Sequence, residues 1–310
     1  MNSIYGWVGF NVVVLGILAL DLGVLHRKSE KVSLRQAAIW SGVWVALSLC
    51  FALAIYLTMG KQSGLEFLTG YLIEYALSVD NIFVFVLIFT YFNVPEKYQH
   101  RVLFWGIIGA LVLRGVMIVA GSALVTRFAW TLYIFGAFLV ITGIRMALQK
   151  DDTAYNPEHD PVLRAARKLI PVTKEYHGKS FFVREQRPDG TTHIAATPLF
   201  IVLLIVDTTD VVFATDSIPA IFAVTRDPFI VYTSNICAVL GLRALYFLLA
   251  GIVDKFVYLK LGLSLVLVFI GAKMLLEGVL HIPIGISLGV VALVLASSVV
   301  ASIKWPRTGH

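Results

Sequence analysis

Glu74-Tyr-Ala-Leu-Ser-Val-Asp80-Asn81 and Asp210-Val-Val-Phe-Ala-Thr-Asp216-Ser217 are the two stretches of sequence that decide the fold. Each stretch places two acids six residues apart, and a small polar residue follows the second acid. Both stretches lie inside long apolar segments. A charged side chain at the centre of a bilayer is costly, so an acid inside a membrane span is by default a functional-site hypothesis. The two stretches therefore predict a membrane protein that uses buried carboxylates.

The composition of the whole chain agrees with a membrane protein. Of its 310 residues, 58% are hydrophobic and only 14% are charged, whereas a soluble domain has about 25% charged residues. So few charges cannot coat a soluble protein of this length, and the lipid bilayer must contact most of the surface. We attribute the net charge of +6 to cytoplasmic loops. No nucleic-acid partner is expected.

The apolar segments predict an all-α polytopic membrane protein, because each is close to the roughly 20 residues that a spanning helix needs. One transmembrane domain over 1–310 is expected, and its first span is a retained helix rather than a cleaved signal. About nine transmembrane helices are predicted, at 5–25, 36–59, 67–92, 102–125, 130–147, 197–222, 229–253, 260–280 and 282–303.

Lysine and arginine are concentrated in alternate loops, above all in 148–196. This bias predicts that the N-terminus is outside, the C-terminus is cytoplasmic and 148–196 is a cytoplasmic loop. Within that loop, Ser180–Ala195 has the pattern of a β-hairpin with a turn at Pro188-Asp189-Gly190. Pro161–Ile170 has the pattern of a short amphipathic helix at the headgroups.

The similarity between the two acidic stretches continues downstream. Gly143-Ile-Arg-Met resembles Gly271-Ala-Lys-Met, and Arg114 corresponds to Arg243. Repeat A therefore covers about 67–147 and repeat B about 197–280, with three spans each. An odd number of spans turns the second copy upside down in the membrane, and two inverted three-helix repeats are typical of secondary transporters.

The predicted site is a set of oxygen ligands for a metal ion. Its members are Glu74, Asp80, Asn81, Asp207, Asp210, Asp216 and Ser217, while Arg114 and Arg243 balance charge. Acids exceed bases inside the spans, and a divalent cation plus a proton would neutralise the excess. Carboxylate and carbonyl oxygens suit Mg²⁺, Ca²⁺ and Mn²⁺, and the residues alone do not separate these ions.

Several of these polar residues also have structural interpretations. Arg114 and Arg243 could hold acids in buried salt bridges, and Lys273 could pair with Glu277 one helical turn away. Asn235 could bond a backbone group of a neighbouring helix. Asp21 lies near the end of the first span, where water could solvate it. Pro219 removes a backbone hydrogen bond to the Thr215 carbonyl, kinks the helix beside Asp216 and frees a candidate oxygen ligand. The two cysteines of the chain, Cys50 and Cys237, are predicted to be packing residues.

Three motifs resemble signatures of the TerC family of membrane proteins, and the similarity is nearest to the Alx branch of that family. The motifs are Gly70–Asn81, Asp207–Thr225, and Thr233-Ser234-Asn235 followed by Gly241–Phe247. The resemblance implies Mn²⁺ export across the bacterial inner membrane and membership of a wider exporter group related to LysE. The family's acids carry over onto Glu74, Asp80, Asp207, Asp210 and Asp216. The family has glutamate where this chain has Asp207, which weakens the case for direct ligation by that residue.

The hypothesis is a Mn²⁺ exporter that works by alternating access and proton exchange. The first alternative is an exporter of a small organic cation or an amino acid. The second is a non-transporting membrane scaffold that recruits partners through 148–196. An enzyme is not expected, because the chain has no nucleophile–histidine–acid set and no glycine-rich phosphate loop. No cofactor is expected either.

Overall fold

The computed structural model describes residues 4–20, 33–128, 130–148, 164, 170–173, 175–186, 192–250, 258–279 and 282–305. These ranges contain nine α-helices and one two-stranded sheet. The helices are α1 (Ile4–Leu20), α2 (Leu34–Met59), α3 (Lys61–Tyr91), α4 (Glu96–Arg127), α5 (Thr131–Leu148), α6 (Pro198–Phe222), α7 (Pro228–Leu249), α8 (Leu259–Leu276) and α9 (Ile284–Lys304). The strands are β1 (Phe182–Gln186) and β2 (Thr192–Ala196).

The all-α polytopic fold is confirmed. Eight of the described helices, α2 to α9, are long and apolar enough to cross a membrane. Each of them overlaps a predicted span. The remaining helix, α1, has 17 described residues. Its predicted continuation to residue 25 lies outside the described residues. Asp21 lies there too.

Local sequence signals explain where the helices begin. Ser33 starts α2 with a capping box, in which its hydroxyl accepts from the Gln36 N–H at 3.2 Å and the Gln36 side chain accepts from the Ser33 N–H at 3.1 Å. Asp227 caps α7 by accepting from the Phe229 N–H at 2.9 Å. Gly60 alone joins α2 to α3, with φ +96° and ψ 169°. That backbone conformation is essentially restricted to glycine.

Helix α7 is the central helix of the bundle, because every residue from Phe229 to Tyr246 is buried. It packs against α2, α3 and α4, while α6 packs against α4 and α3. The peripheral helix α1 reaches α7 through aromatic side chains. The Trp7 and Phe229 rings lie 5.4 Å apart, and Tyr232 donates to the Asn11 side-chain oxygen at 2.7 Å.

Helices α5 and α8 pack most closely of all, and glycines permit the approach. A Cβ placed on Gly271 would lie 2.6 Å from the carbonyl oxygen of Gly136. A Cβ placed on Gly143 would lie 2.8 Å from the carbonyl oxygen of Ser264. Each is closer than real Cβ contacts, so the two backbones touch along this seam.

The helix pairs follow the pattern that the repeat predicts. If α3, α4 and α5 correspond to α6, α7 and α8, then the contact of α3 with α7 corresponds to the contact of α6 with α4. Both contacts are present. Helices α5 and α8, the third helix of each repeat, pack on each other. The inverted relation between the two triplets stays a prediction.

The predicted hairpin is present in the long loop. Strands β1 and β2 pair antiparallel with Val183 opposite Ala195, while the predicted turn and most of Pro161–Ile170 lie outside the described residues. Side chains tie this segment to the helices. Tyr176 donates to the Phe92 carbonyl at 2.7 Å, and the Arg101 guanidinium lies 5.0 Å from the centre of the Phe181 ring.

Candidate functional site

A buried polar network joins four helices at the centre of the bundle. Arg114 on α4 is fully buried. It donates two hydrogen bonds to the Asp210 carboxylate on α6, from Nε to Oδ2 at 2.8 Å and from Nη2 to Oδ1 at 2.7 Å. Its Nη1 donates to Glu74 on α3 and to the side-chain oxygen of Asn235 on α7 at 3.2 Å. Asn235 in turn donates to Glu74 Oε2 at 2.9 Å. We call these four residues the Arg114 network.

The Arg114 network is closed but not neutral. Its two carboxylates exceed its single guanidinium by one negative charge. Two parallel bonds from guanidinium to carboxylate are among the stronger hydrogen-bond arrangements in proteins. A buried network of this kind is rigid when it is satisfied and costly when one partner is removed. The network therefore connects α3, α4, α6 and α7 firmly in this conformation.

Asp80 and Asp216 form a second, less enclosed group, which we call the Asp80–Asp216 pair. Both side chains are half-buried and lie close enough to interact electrostatically. The Thr142 side chain on α5 lies near Asp216, and Lys260 on α8 interacts electrostatically with Asp80. The pair thus sits where α3, α6, α5 and α8 come together.

Neutral oxygens flank the Asp80–Asp216 pair in the sequence of both helices. The hydroxyl oxygens of Ser78 and Ser217 are buried and have no hydrogen-bond partner within the described ranges. Such atoms call for an explanation, since buried polar groups in proteins are usually bonded. Asn81 is buried as well. Ser78 and Asn81 lie one and two helical turns after Glu74, and Ser217 lies two turns after Asp210, so these residues are on the helix faces of the Arg114 network.

Asp207 lies against the backbone of α4 rather than inside the Arg114 network. A Cβ on Gly109 would lie 2.6 Å from Asp207 Oδ2, so only glycine admits the carboxylate there. Its Oδ1 is buried without a hydrogen-bond partner among the residues that the structure describes. Arg243 and Asp210 line a nearby cavity of about 10 Å³, which is room for about one water molecule.

The predicted ligands therefore divide into separate groups rather than one cage. Within the described part of the chain, no three His, Cys, Asp or Glu side chains cluster as a metal centre would require. Helices α3 and α6 do pack together, and they bring Glu74 near Asp210 and Asp80 near Asp216. Those are the pairs at matching positions of the two acidic stretches. The metal-binding roles of these residues stay predictions.

Two polar residues were misjudged or overlooked at the sequence level. A backbone partner is one interpretation of Asn235 from the sequence, but the residue bonds the side chains of Glu74 and Arg114. The sequence gives little reason to single out Thr142, a threonine within an apolar helix. Asn235 had a signal, because it belongs to the Thr233-Ser234-Asn235 motif.

A second polar region lies where α3 and α9 begin and α6 and α8 end. Its cavity of about 460 Å³ is lined by Glu66, Arg226, Lys273 and Glu277 among others. The pairing of Lys273 with Glu277 was only partly right. Glu277 bonds Arg226 at 3.0 Å, while Lys273 interacts electrostatically with both Glu277 and Glu66.

Comparison with known proteins places these features in a family context. Residues 59–308 match the sequence profile described as "Integral membrane protein TerC family". An uncharacterized membrane protein of Myxococcus xanthus is 52% identical over 297 residues, which cover 96% of this chain and 91% of the relative. A Photorhabdus laumondii protein, provisionally named membrane-bound redox modulator Alx, is 50% identical over 316 residues, covering 98% and 97%. The protein of that name in Escherichia coli K12 is 49% identical over 313 residues, covering 98% and 95%. No solved structure matches this chain significantly.

Proposed function

Because the chain belongs to the TerC family of integral membrane proteins, we propose that it is a transporter that exports a divalent metal ion across the bacterial inner membrane. Mn²⁺ is the proposed substrate. The proposal includes the orientation that the loop charges predict, with the N-terminus outside and the C-terminus in the cytoplasm. No part of this proposal requires an enzymatic activity or a resident cofactor.

The Asp80–Asp216 pair is the observation that carries the proposal. Two carboxylates from two packed helices interact inside an apolar bundle, where an uncompensated charge is expensive. Buried serine oxygens without partners lie on the same two helices. Carboxylate, hydroxyl and amide oxygens are the ligands that Mn²⁺, Mg²⁺ and Ca²⁺ prefer. A bound divalent cation would neutralise the pair.

The proposed mechanism is alternating access at the contact between α3 and α6. A cytoplasmic ion exchanges most of its water for Asp80, Asp216 and nearby neutral oxygens. The Thr215 carbonyl, which Pro219 leaves without its helical hydrogen bond, is one more candidate ligand. When the ion leaves, a proton that binds an acid of the site limits the repulsion between the emptied carboxylates, which couples export to proton exchange.

The decisive experiment is metal flux in proteoliposomes that contain the purified full-length chain. Mn²⁺, Mg²⁺, Ca²⁺ and Zn²⁺ are compared in parallel, each with and without a pH gradient. We expect Mn²⁺ flux that a pH gradient accelerates, and its loss in both Asp80→Asn and Asp216→Asn. Glu185→Gln, which changes a carboxylate in the β-hairpin, is the matched control and should transport normally. Wild-type flux by Asp216→Asn would rule out the role given to that residue.

The same assay separates the two remaining alternatives. An exporter of organic cations or amino acids would leave all four metals untransported and would move a labelled amine or amino acid instead. A scaffold that acts through 148–196 would keep its cellular function after every intramembrane acid is neutralised. The exporter hypothesis predicts that this neutralised variant is inactive in cells even though it reaches the membrane.

A further inference from the structure

Arg114 holds the position that a cation would be expected to hold between two of the predicted metal ligands. Its guanidinium bonds carboxylate oxygens of both Glu74 and Asp210, and also the side-chain oxygen of Asn235. We propose that Arg114 is a tethered cation, which occupies in the empty carrier the place that the transported ion takes between Glu74 and Asp210, a second position on its path besides the Asp80–Asp216 pair. This inference rests on the transport function proposed above.

The donor set around the guanidinium is suited to a hard metal ion. Three side chains from three helices direct oxygens at it, and two of them are carboxylates. Carboxylate and amide oxygens are ordinary ligands of Ca²⁺, and carboxylates with carbonyl oxygens suit Mn²⁺ and Mg²⁺. If the arginine were absent, the same oxygens would form an acidic, oxygen-only pocket with no cation in it. The arrangement therefore fits either a guanidinium or a divalent ion, but not both at full occupancy.

Charge explains why the empty carrier would need such a substitute. Glu74 and Asp210 are both buried, with side-chain exposures of 1% and 4%. Leaving two carboxylates in the bundle without a cation would be strongly destabilising. Arg114 removes most of that penalty, so the unloaded site can stay closed. One negative charge remains.

Loading of the site requires the guanidinium to withdraw, and the cavity of about 10 Å³ on its N-terminal side is too small to receive it, so the surrounding helices must shift. Long side chains on a helix point toward its N-terminus. Along α4, Ala110 and Ile107 lie one and two turns before Arg114, and both line the small cavity beside Asp210. Binding of an ion must compete with the arginine, so the apparent affinity of the site falls with the fraction of molecules in which the arginine holds it.

The test compares Mn²⁺ binding by Arg114, Arg114→Lys and Arg114→Gln in the purified full-length chain. All three carry Asp216→Asn, so that the Asp80–Asp216 pair does not obscure the result. Electron paramagnetic resonance of free Mn²⁺ reports the bound fraction. We expect Arg114→Gln to bind at least about tenfold more tightly than the arginine protein, as follows if arginine holds the site in over nine of ten molecules. Lysine should lie between them, since an ammonium lacks the planar fork of the guanidinium.

Stability measurements separate competition from a purely structural role. Without metal, the unfolding temperature should fall from arginine to lysine to glutamine, and Mn²⁺ should restore it most in Arg114→Gln. Adding Asp210→Asn to Arg114→Gln should abolish the tight binding. If Arg114→Gln does not fold, Arg114→Lys alone must bind more tightly than the arginine protein. Equal or weaker Mn²⁺ binding by the folded variants overturns the inference.

These outcomes are distinct from failure of the transport function. Suppose that the wild-type chain moves no Mn²⁺ in proteoliposomes, while Mn²⁺ affinity still rises from arginine to lysine to glutamine at position 114. Export would then be refuted, and the competition between arginine and metal would stand. Normal Mn²⁺ flux with no order of affinities would refute the tethered cation and leave the exporter standing.

Discussion

Gly271→Ala should destabilise the protein through the seam between α5 and α8. The new Cβ would lie 2.6 Å from the Gly136 carbonyl oxygen and 2.9 Å from the backbone nitrogen of Val140. Backbone atoms cannot rotate away, so the two helices must separate. Overpacking costs about 1–3 kcal/mol, and a backbone clash belongs at about 3 kcal/mol. The better helix propensity of alanine returns about 1 kcal/mol. The expected net loss in the free energy of unfolding is about 2 kcal/mol.

Gly289→Ala is the matched control, because a Cβ there meets no atom within 4 Å. It should keep its stability or gain up to about 1 kcal/mol from helix propensity. Equilibrium unfolding in mixed detergent–SDS micelles, followed by circular dichroism, gives the free energy of unfolding of each variant. We expect Gly271→Ala to be less stable than Gly289→Ala by about 3 kcal/mol, which combines the two estimates. Since α5 also carries Thr142 beside Asp216, Gly271→Ala should slow metal flux as well. Equal stability of the two variants would refute the close packing of this seam.

Three further predictions concern other parts of the chain. Gly109→Ala should displace the Asp207 carboxylate, whose Oδ2 would lie 2.6 Å from the new Cβ. Metal flux should fall with little loss of stability, because the Asp207 side chain can move aside. Unchanged flux would show that the position of this carboxylate is unimportant for transport. Tyr176→Phe should remove the bond to the Phe92 carbonyl and cost about 0.5–1.5 kcal/mol. Burial raises the pKa of Tyr176 from 10.0 to about 12, so the unfolded chain loses the phenolic proton at a lower pH than the folded chain does. The free energy of unfolding of the wild type should therefore fall between pH 10 and about pH 12, and that of Tyr176→Phe should fall less. Replacing both cysteines, Cys50 and Cys237, with serine should leave Mn²⁺ flux intact, whereas loss of flux would show that the thiols are needed for transport.

The fold class and the identity of the candidate carboxylates follow from the amino-acid sequence alone. Uninterrupted apolar segments of about 20 residues have few stable alternatives to spanning helices, because backbone polar groups in lipid must bond within the segment. The same reasoning marked Glu74, Asp80, Asp210 and Asp216, since acids in such segments are rare and expensive. The β-hairpin in the long loop was also predictable, from the alternation of its side chains around turn residues.

Only the tertiary structure decided how the acids are divided. Glu74 and Asp80 are six residues apart on one helix, which at 100° per residue places them on different faces. Which face meets which neighbour depends on how α3, α4, α6 and α7 pack, and the sequence of one helix does not contain that information. Packing brings Arg114 between Glu74 and Asp210 and places Asp216 near Asp80 and Thr142. A helix specifies its own spacing, but the charge that each carboxylate meets is set by side chains that arrive from other helices.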